Sequence, residues 1–298
     1  MQRLFRYSDM RTAVVTVVYP GVEKYLADFF ASWASQTDRD FEILVVDAGA
    51  SELDAHIKSF RSSLPNIHIL PARGGVVELR KKAIRWAGEK GFDLAIFSDA
   101  DDFFKADRVA TAKALSSLGQ VLFNELILVW PDVEKRVPLM SDRFEEGQRL
   151  DSADILNFNC LGLGNTAAWL ENIVPVLDEI PDSTEAFDWA LFAKVLARGN
   201  SARFTRKTAT YYRQHSNNIA APFDLSESQI LRGVDVKRQH YAILGASVSR
   251  LENAYAALSS DLRSDPAFRG EYCAAVLAAA PEKPLWWEAI KMKEDLGL

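Results

Sequence analysis

Asp99, Asp101 and Asp102 stand in the run Asp99-Ala100-Asp101-Asp102, directly after the apolar tetrad Leu94-Ala95-Ile96-Phe97. Closely spaced carboxylates at a strand end can hold a hard divalent cation, Mg2+ or Mn2+, which wants several oxygens and shares them with substrate phosphates. The same residues also suit a strand-to-helix turn, because Asp is a favoured turn and cap residue. Asp47 follows Ile43-Leu44-Val45-Val46 and precedes Ala48-Gly49-Ala50-Ser51. An acid there can touch a nucleotide or cap the next helix. Between these acids lies a basic stretch, Arg73, Arg80, Lys81, Lys82, Arg85 and Lys90. Most of it reads as a solvated helix face, but Arg73 and Arg80 lie nearest the strand ends and could meet a diphosphate. Asp188 sits early in an apolar helical segment, as a general base or as an acid that complements the helix dipole. Glu185 is the alternative base. His215 closes the polar run Tyr211-Tyr212-Arg213-Gln214-His215.

Other chemistries lack their residues. The first βα turn, Tyr19-Pro20-Gly21-Val22-Glu23, has no G-x-G-x-x-G, and no G-x-x-x-x-G-K-[ST] occurs. No Ser sits in a G-x-S-x-G elbow, and no His–Cys arrangement supports a thiol nucleophile, so Cys160 reads as a small buried residue.

The elements that must position these residues alternate between two periods. Val14 to Val18, Phe41 to Val46, Ile67 to Leu70 and Leu94 to Phe97 are strand-like runs. Between them, Leu26, Phe29, Phe30 and Trp33 mark one helix, Leu53, Ile57 and Phe60 a second, and Val76 to Lys90 a third. A βαβαβαβ order predicts an open, mostly parallel, Rossmann-like sheet flanked by helices, which binds ligands outside the carboxyl ends of its strands. Those ends carry Asp47, Arg73 and the Asp99–Asp102 run. Further on, the pattern predicts a helix from Arg108 to Leu118, an apolar run from Val121 to Trp130, a loop from Asn157 to Asn165, helices over Thr166–Leu177 and Ser183–Arg198, and a strand from Ala209 to Arg213. From Leu225 the chain reads helical. A boundary near Pro222 divides a catalytic unit, 1–222, from a helical C-terminal extension, 223–298.

Composition bounds the rest. In 298 residues, Lys and Arg number 35 against 41 Asp and Glu, a net charge of −6 that argues against wrapping nucleic acid. Two cysteines cannot make a disulfide scaffold or a four-sulfur metal site. No apolar run is long enough to span a membrane, and Met1 to Arg6 does not open a secretory signal, so a cytoplasmic protein is expected.

Taken together, Val14 to Val18, Gln36, Val45-Val46-Asp47, the Asp99-Ala100-Asp101-Asp102 run and Tyr212-Arg213-Gln214-His215-Ser216-Asn217-Asn218 resemble a family 2 glycosyltransferase of the GT-A fold, over roughly residues 12–220. The resemblance implies that Asp47 contacts the nucleobase of a sugar donor and that Arg80 makes donor contacts. It implies that Asp99 and Asp101 form the D-x-D element, with Asp101 the direct ligand of Mn2+ or Mg2+; His215, in its polar run, is a further candidate ligand. Asp188 then matches the catalytic base of inverting members. The chain departs from the family pattern at Ala48, where a second Asp is usual, at Phe187, where a Glu precedes the base, and after the first strand, where Asn is common.

The reaction so implied moves a sugar from a nucleotide-diphosphate donor, UDP-linked, to an acceptor hydroxyl with inversion, in cell-surface polysaccharide or glycan synthesis. Asn159 and Asn165 are candidates for the acceptor pocket. A nucleotidyltransferase and a catalytically inactive nucleotide-binding scaffold are the alternatives. The tail has two readings as well. Its helices pack on the catalytic unit or on a second copy, or Trp286, Trp287, Lys291 and Lys293 touch the inner membrane face peripherally.

Overall fold

The computed structural model describes residues 10–116, 121–130, 133–215 and 225–298, without the side chains of Val133 and Glu134. Met1 to Arg6, Ser216-Asn217-Asn218 and the boundary near Pro222 lie outside the described residues.

The first strand, β1 (Thr12–Val18), is buried at all seven positions. Its side chains divide by the period of two: Ala13, Val15 and Val17 face one apolar core, Val14 and Val18 the other. This is what a β-branched run covered on both faces requires. Helix α1 (Leu26–Ala34) buries Leu26, Phe29, Phe30 and Trp33, the stripe its spacing predicts. There follow β2 (Glu42–Asp47), α2 (Leu53–Phe60), β3 (Ile67–Pro71), α3 (Val76–Glu89) and β4 (Leu94–Phe97). Beyond the aspartate run come β5 (Phe103–Phe104), α4 (Arg108–Leu115), β6 (Val121–Trp130), β7 (Val133–Pro138), β8 (Arg149–Leu150), β9 (Thr166–Trp169), α5 (Leu170–Ile173), α6 (Phe187–Ala197) and β10 (Ala202–Arg213).

The sheet runs β3-β2-β1-β4-β9-β6-β10-β5, with β7 on β6 and β8 on β10. The parallel expectation holds across β3, β2, β1 and β4. Past β4 the sheet is mixed, because β9 runs antiparallel to both β4 and β6. That strand corrects the helix expected over Thr166–Leu177. Thr166-Ala167-Ala168-Trp169 pairs on both sides at the sheet's centre, and its small side chains fit there; pairing overrides the helical preference of alanine. A short helix and a 3-10 turn to Glu179 supply the helical remainder. β10 begins earlier than its apolar end suggests. Its register shifts between Thr205 and Ala209, where exposed Arg206 and Lys207 break the alternation.

The extension forms α7 (Glu227–Leu244), α8 (Ser249–Ser264) and α9 (Pro266–Ala279) around a third apolar cluster that includes Ile230, Tyr241, Tyr255, Leu258 and Tyr272. These helices meet the preceding α/β elements through His240, whose ring stacks on Trp189 of α6 at 3.6 Å between centroids. Trp286 and Trp287 are half-buried and pack against the main core, Trp286 meeting Tyr212 edge-on at 5.7 Å. Both rings thus serve the packing reading of the tail. Among the described residues no helix is long and apolar enough to cross a membrane.

Candidate active site

The strand order reverses direction between β1 and β4, and open α/β sheets bind ligands in the crevice at such a point. A cleft of about 310 Å3 opens there, lined by Thr16, Tyr19, Arg80, Ser98, Asp99 and Leu163 among others. Because β9 is antiparallel to β4, its first residues arrive at the edge where β4 ends, with Ala167 opposite Ile96. The loop before β9 is thereby delivered into the crevice. It passes the carboxylates closely: a Cβ on Gly164 would stand 3.0 Å from Asp99 Oδ2 and 3.2 Å from Asp102 Oδ2. A Cβ on Gly162 would stand 3.6 Å from Asp188 Oδ2. One turn, Gly162-Leu163-Gly164, therefore separates Asp188 from the strand-end acids.

Arg80, on the inner side of α3, reaches Asp99 at 3.3 Å. Burial opposes its charge, but Asp99, Tyr19, Asp188 and Asp101 outweigh that and raise its pKa. Burial pushes Asp99 up to about 6, with Arg80 opposing and Asp101 and Asp188 adding repulsion. Asp102 is fully buried and held well above the usual carboxylate range by that burial, with repulsion from Asp101 and Asp99. Its Oδ1 accepts from Arg213 N at 2.9 Å, and its Oδ2 has no hydrogen-bond partner among the described residues. Arg213 also donates to the Asp101 carbonyl at 2.8 Å and to Asp28 at 2.9 Å, tying β10 to the aspartate turn. His215 Nε2 lies 2.9 Å from Asp101 Oδ2, and its ring stacks on Tyr25.

Beneath these acids Arg108 is buried almost completely. It donates to the carbonyls of Gly164 and Phe97, at 2.9 and 2.8 Å, and to Thr210 Oγ1. The guanidinium thus cross-braces β4, the glycine turn and β10. Burial draws its pKa down to about 9, while Asp102 and Asp99 act the other way.

Asp188 is half-buried in the first turn of α6. Burial raises its pKa, opposed by Arg80, by the Trp189 amide and by a side-chain hydrogen bond from Asn159. Glu185 is exposed and turned away, paired with Arg232 of α7 at 2.7 Å.

At the end of β2, Asp47 Oδ1 accepts from Gly49 N at 2.7 Å and Ala50 N at 3.1 Å, closing a tight loop. Arg73 lies over that loop. Gly49 has φ +98°, and a Cβ there would stand 2.6 Å from Arg73 Nη1. Asp47 and Arg73 form one group and Arg80 and Asp99 another, so the two arginines named together in the sequence serve different parts of the edge. Glu23 joins the loops after β1 and β2, accepting from Gly21 N at 2.6 Å and from Ser51 N and Oγ at 3.1 Å.

The two asparagines expected in the acceptor pocket are both buried. Asn165 donates to the carbonyls of Asn124 and Cys160, which makes it a staple of the loop. Asn159 is spent on the loop as well, its Oδ1 accepting from Leu161 N at 2.9 Å, and its side chain favours the charged form of Asp188. Cys160 is buried, and burial lifts its thiol far above the ordinary range, in keeping with a packing role. Five basic residues close in sequence, Arg198, Arg203, Arg206, Lys207 and Arg213, do not gather at the site: Arg198 pairs with Glu179, Arg206 holds the Phe144 carbonyl, and Arg213 alone of those three reaches the site. The loop expected over Asn157–Asn165 does reach the crevice, through its Gly162–Gly164 turn, whereas Arg108 is a residue that sequence reasoning misses. A buried arginine in the first turn of a helix after an aspartate run is a signal for it.

Among the described residues no three His, Cys, Asp or Glu side chains form a ready metal cluster. Asp101 and His215 are a pair, flanked by Asp99 and by the orphaned Asp102 Oδ2. One carboxylate and one imidazole is a donor set whose chemistry fits a cation such as Mn2+ or Mg2+ shared with a substrate diphosphate.

Residues 13–113 match the sequence model of the family described as glycosyl transferase family 2. No curated protein sequence matches the chain. Staphylococcus aureus TarS 1-349, solved in complex with UDP-GlcNAc, is 18% identical over 82% of this chain and 70% of that one, with a TM-score of 0.60. The mannosyltransferase PcManGT from Pyrobaculum calidifontis, solved with GDP-Man and Mn2+, is 16% identical over 91% of this chain and 76% of that one, with a TM-score of 0.54. GalNAc-T7, solved with UDP, GalNAc and Mn2+, is 15% identical over 77% of this chain and 47% of that one, with a TM-score of 0.53. The resemblance read from the residues is borne out: the chain has the GT-A fold, and residues 13–113 carry the family 2 glycosyltransferase sequence model.

Proposed function

We propose that the protein is an inverting glycosyltransferase that moves a sugar from a nucleotide-diphosphate sugar, UDP-linked, to a hydroxyl of a glycan acceptor, in the synthesis of a cell-surface polysaccharide or glycan. The observation that carries this reading is the placement of Asp188 across the Gly162–Gly164 turn from Asp99, with Arg80 within electrostatic reach of both. A direct displacement needs a base on one side of the anomeric carbon and charge compensation for a leaving diphosphate on the other.

In this reading Asp47 and Arg73 hold the nucleoside end. Asp101, Asp99 and His215 hold the cation, Mn2+ or Mg2+, which when bound supplies Lewis-acid neutralisation of the diphosphate. Arg80 adds a fixed positive charge beside the breaking bond. The acceptor oxygen attacks the anomeric carbon as the bond to the diphosphate oxygen breaks, and the acceptor's proton passes to the Asp188 carboxylate. Such proton removal typically contributes about 10²–10⁴-fold.

The test is a panel of nucleotide sugars with Mn2+ and candidate acceptors, read as released nucleoside diphosphate. Release that needs both metal and acceptor is expected. Pyrophosphate as the product would replace this reading with nucleotidyl transfer. Nucleotide binding with no turnover on any donor–acceptor pair would replace it with the scaffold.

A further inference from the structure

We infer that the C-terminal turn 283–290 is a positioning element for Asp188, acting through Asn159. This rests on the reading of Asp188 as the base. The contacts run in an unbroken series. Trp286 and Asn159 form an isolated antiparallel bridge, with Asn159 N donating to the Trp286 carbonyl at 3.0 Å. Asn159 is 3% exposed, and its Oδ1 accepts from Leu161 N at 2.9 Å. That bond opens the turn whose Gly162 lies against the acid, since a Cβ on Gly162 would stand 3.6 Å from Asp188 Oδ2, and the Asn159 side chain favours the charged carboxylate.

The turn that carries Trp286 is itself fixed from outside the site. Arg143 grips Glu288 with two bonds, at 2.7 and 2.8 Å, and the Lys283 carbonyl at 3.1 Å. Glu288 Oε2 also accepts from Leu285 N at 2.8 Å, closing the turn on itself. A planar, bidentate Arg–carboxylate pair sets orientation as well as distance. Leu285 and Ile290 are buried, and Gly233 of α7 leaves the space that Ile290 fills, since a Cβ there would stand 2.6 Å from Ile290 Cγ1. Trp287 holds φ +67°, a left-handed conformation that a large side chain adopts only where its surroundings impose it. A second support meets the same helix end from α7, where Gln239 takes the Glu185 amide at 3.0 Å and donates to the Ser183 carbonyl at 3.0 Å.

Packing alone asks only for buried apolar contact. Here the sequence-distant turn supplies one backbone carbonyl to one asparagine, and that asparagine opens the loop that lies against the proposed base. Asn159 is a positioning residue, and Glu288 is the accessible point at which to loosen the series without touching the site.

The experiment compares wild type, Asn159→Ala, Glu288→Gln and the double variant, each checked for a native melting transition. Asn159→Ala is expected to lower kcat about tenfold to a hundredfold while donor KM and Mn2+-dependent UDP affinity stay unchanged. Glu288→Gln is expected to lower kcat in the same direction by less. The double variant is expected to be no worse than Asn159→Ala alone, because both act along one series. Amide hydrogen exchange gives a readout that needs no turnover: Glu288→Gln should speed exchange at residues 159–165. Independent, multiplying losses in kcat, or exchange at 159–165 unchanged in Glu288→Gln, would overturn the inference. A wild type that transfers no sugar defeats the proposed activity instead, and the exchange result still decides whether the turn braces the loop.

Discussion

His215 Nε2 stands 2.9 Å from Asp101 Oδ2, so the residue just past the end of β10 meets the middle of the turn that follows β4. The imidazole is held flat by stacking on Tyr25, with ring centroids 5.2 Å apart. A cation that enters between them would find one hard and one borderline donor already converging. His215→Ala and Asp101→Asn are each expected to weaken Mn2+-dependent UDP binding at least about tenfold, with little effect on binding measured in EDTA. Calorimetric titration with and without the metal checks this. Equal affinities for wild type and both variants in the presence of Mn2+ would remove the pair from the cation site.

The second prediction concerns Asp188. Asp188→Asn should reduce transfer by about 10²–10⁴-fold and spare donor binding. Burial raises its pKa above the ordinary carboxylate value, so the proton is retained to higher pH and the base is lost as pH falls through that raised value. The logarithm of kcat should therefore bend downward on the acid side with a limiting slope near one. Asn159→Ala should move that limb to higher pH, because the Asn159 bond favours the charged form. A pH profile identical in wild type and Asn159→Ala would count against the assignment.

Gly164→Ala tests the closeness of the turn to the acids. Its Cβ would press on Asp99 and Asp102 at 3.0 and 3.2 Å, and one of the three must shift. Displacement by a few tenths of an ångström is expected to lower kcat roughly tenfold or more, with the melting temperature little changed. Side-by-side rates and melting curves separate that outcome from simple misfolding.

A fourth prediction lies outside the site. Lys237 of α7 is buried, and burial draws its pKa down to about 7, against the pull of Glu288 and Asp295. The unfolded chain holds this proton up to the ordinary lysine range, so between about pH 7 and that range it binds more protons than the folded one. Stability should rise with pH across that window and lose this contribution as pH falls back to 7. Lys237→Met removes the buried charge, so it should raise the melting temperature at pH 7 and flatten the slope above it. Parallel melting curves for both proteins from pH 6.5 to pH 9.5 check the sign.

Much of the N-terminal half was legible because its signals are local. The β-branched run of β1, the 3-4 spacing of Leu26, Phe29, Phe30 and Trp33, and an acid directly after a strand each point to their place without knowledge of the rest. What was not legible depends on contact partners far away in sequence. Thr166-Ala167-Ala168-Trp169 has the composition of a helix and becomes a strand because β4 and β6 leave a gap between them. Arg73 and Arg80 share a charge and a helix neighbourhood, yet the Gly49 loop takes one and Asp99 takes the other. Asn159 looks like a polar loop residue open to a ligand, and only the arrival of Trp286 from the extension shows that it is buried.

The bridge between Asn159 and Trp286 also bears on the order of events during folding. Contacts between residues far apart along the chain form late, since loop-closure entropy must be met before they give anything back. The parallel strands around β1 and the helical cluster of the extension can each gather early from nearer pairings. Joining them at Asn159 cannot precede either. In a refolding experiment, far-ultraviolet signal should therefore return ahead of catalytic competence, and the interval between the two would time the docking of the extension, that bridge included.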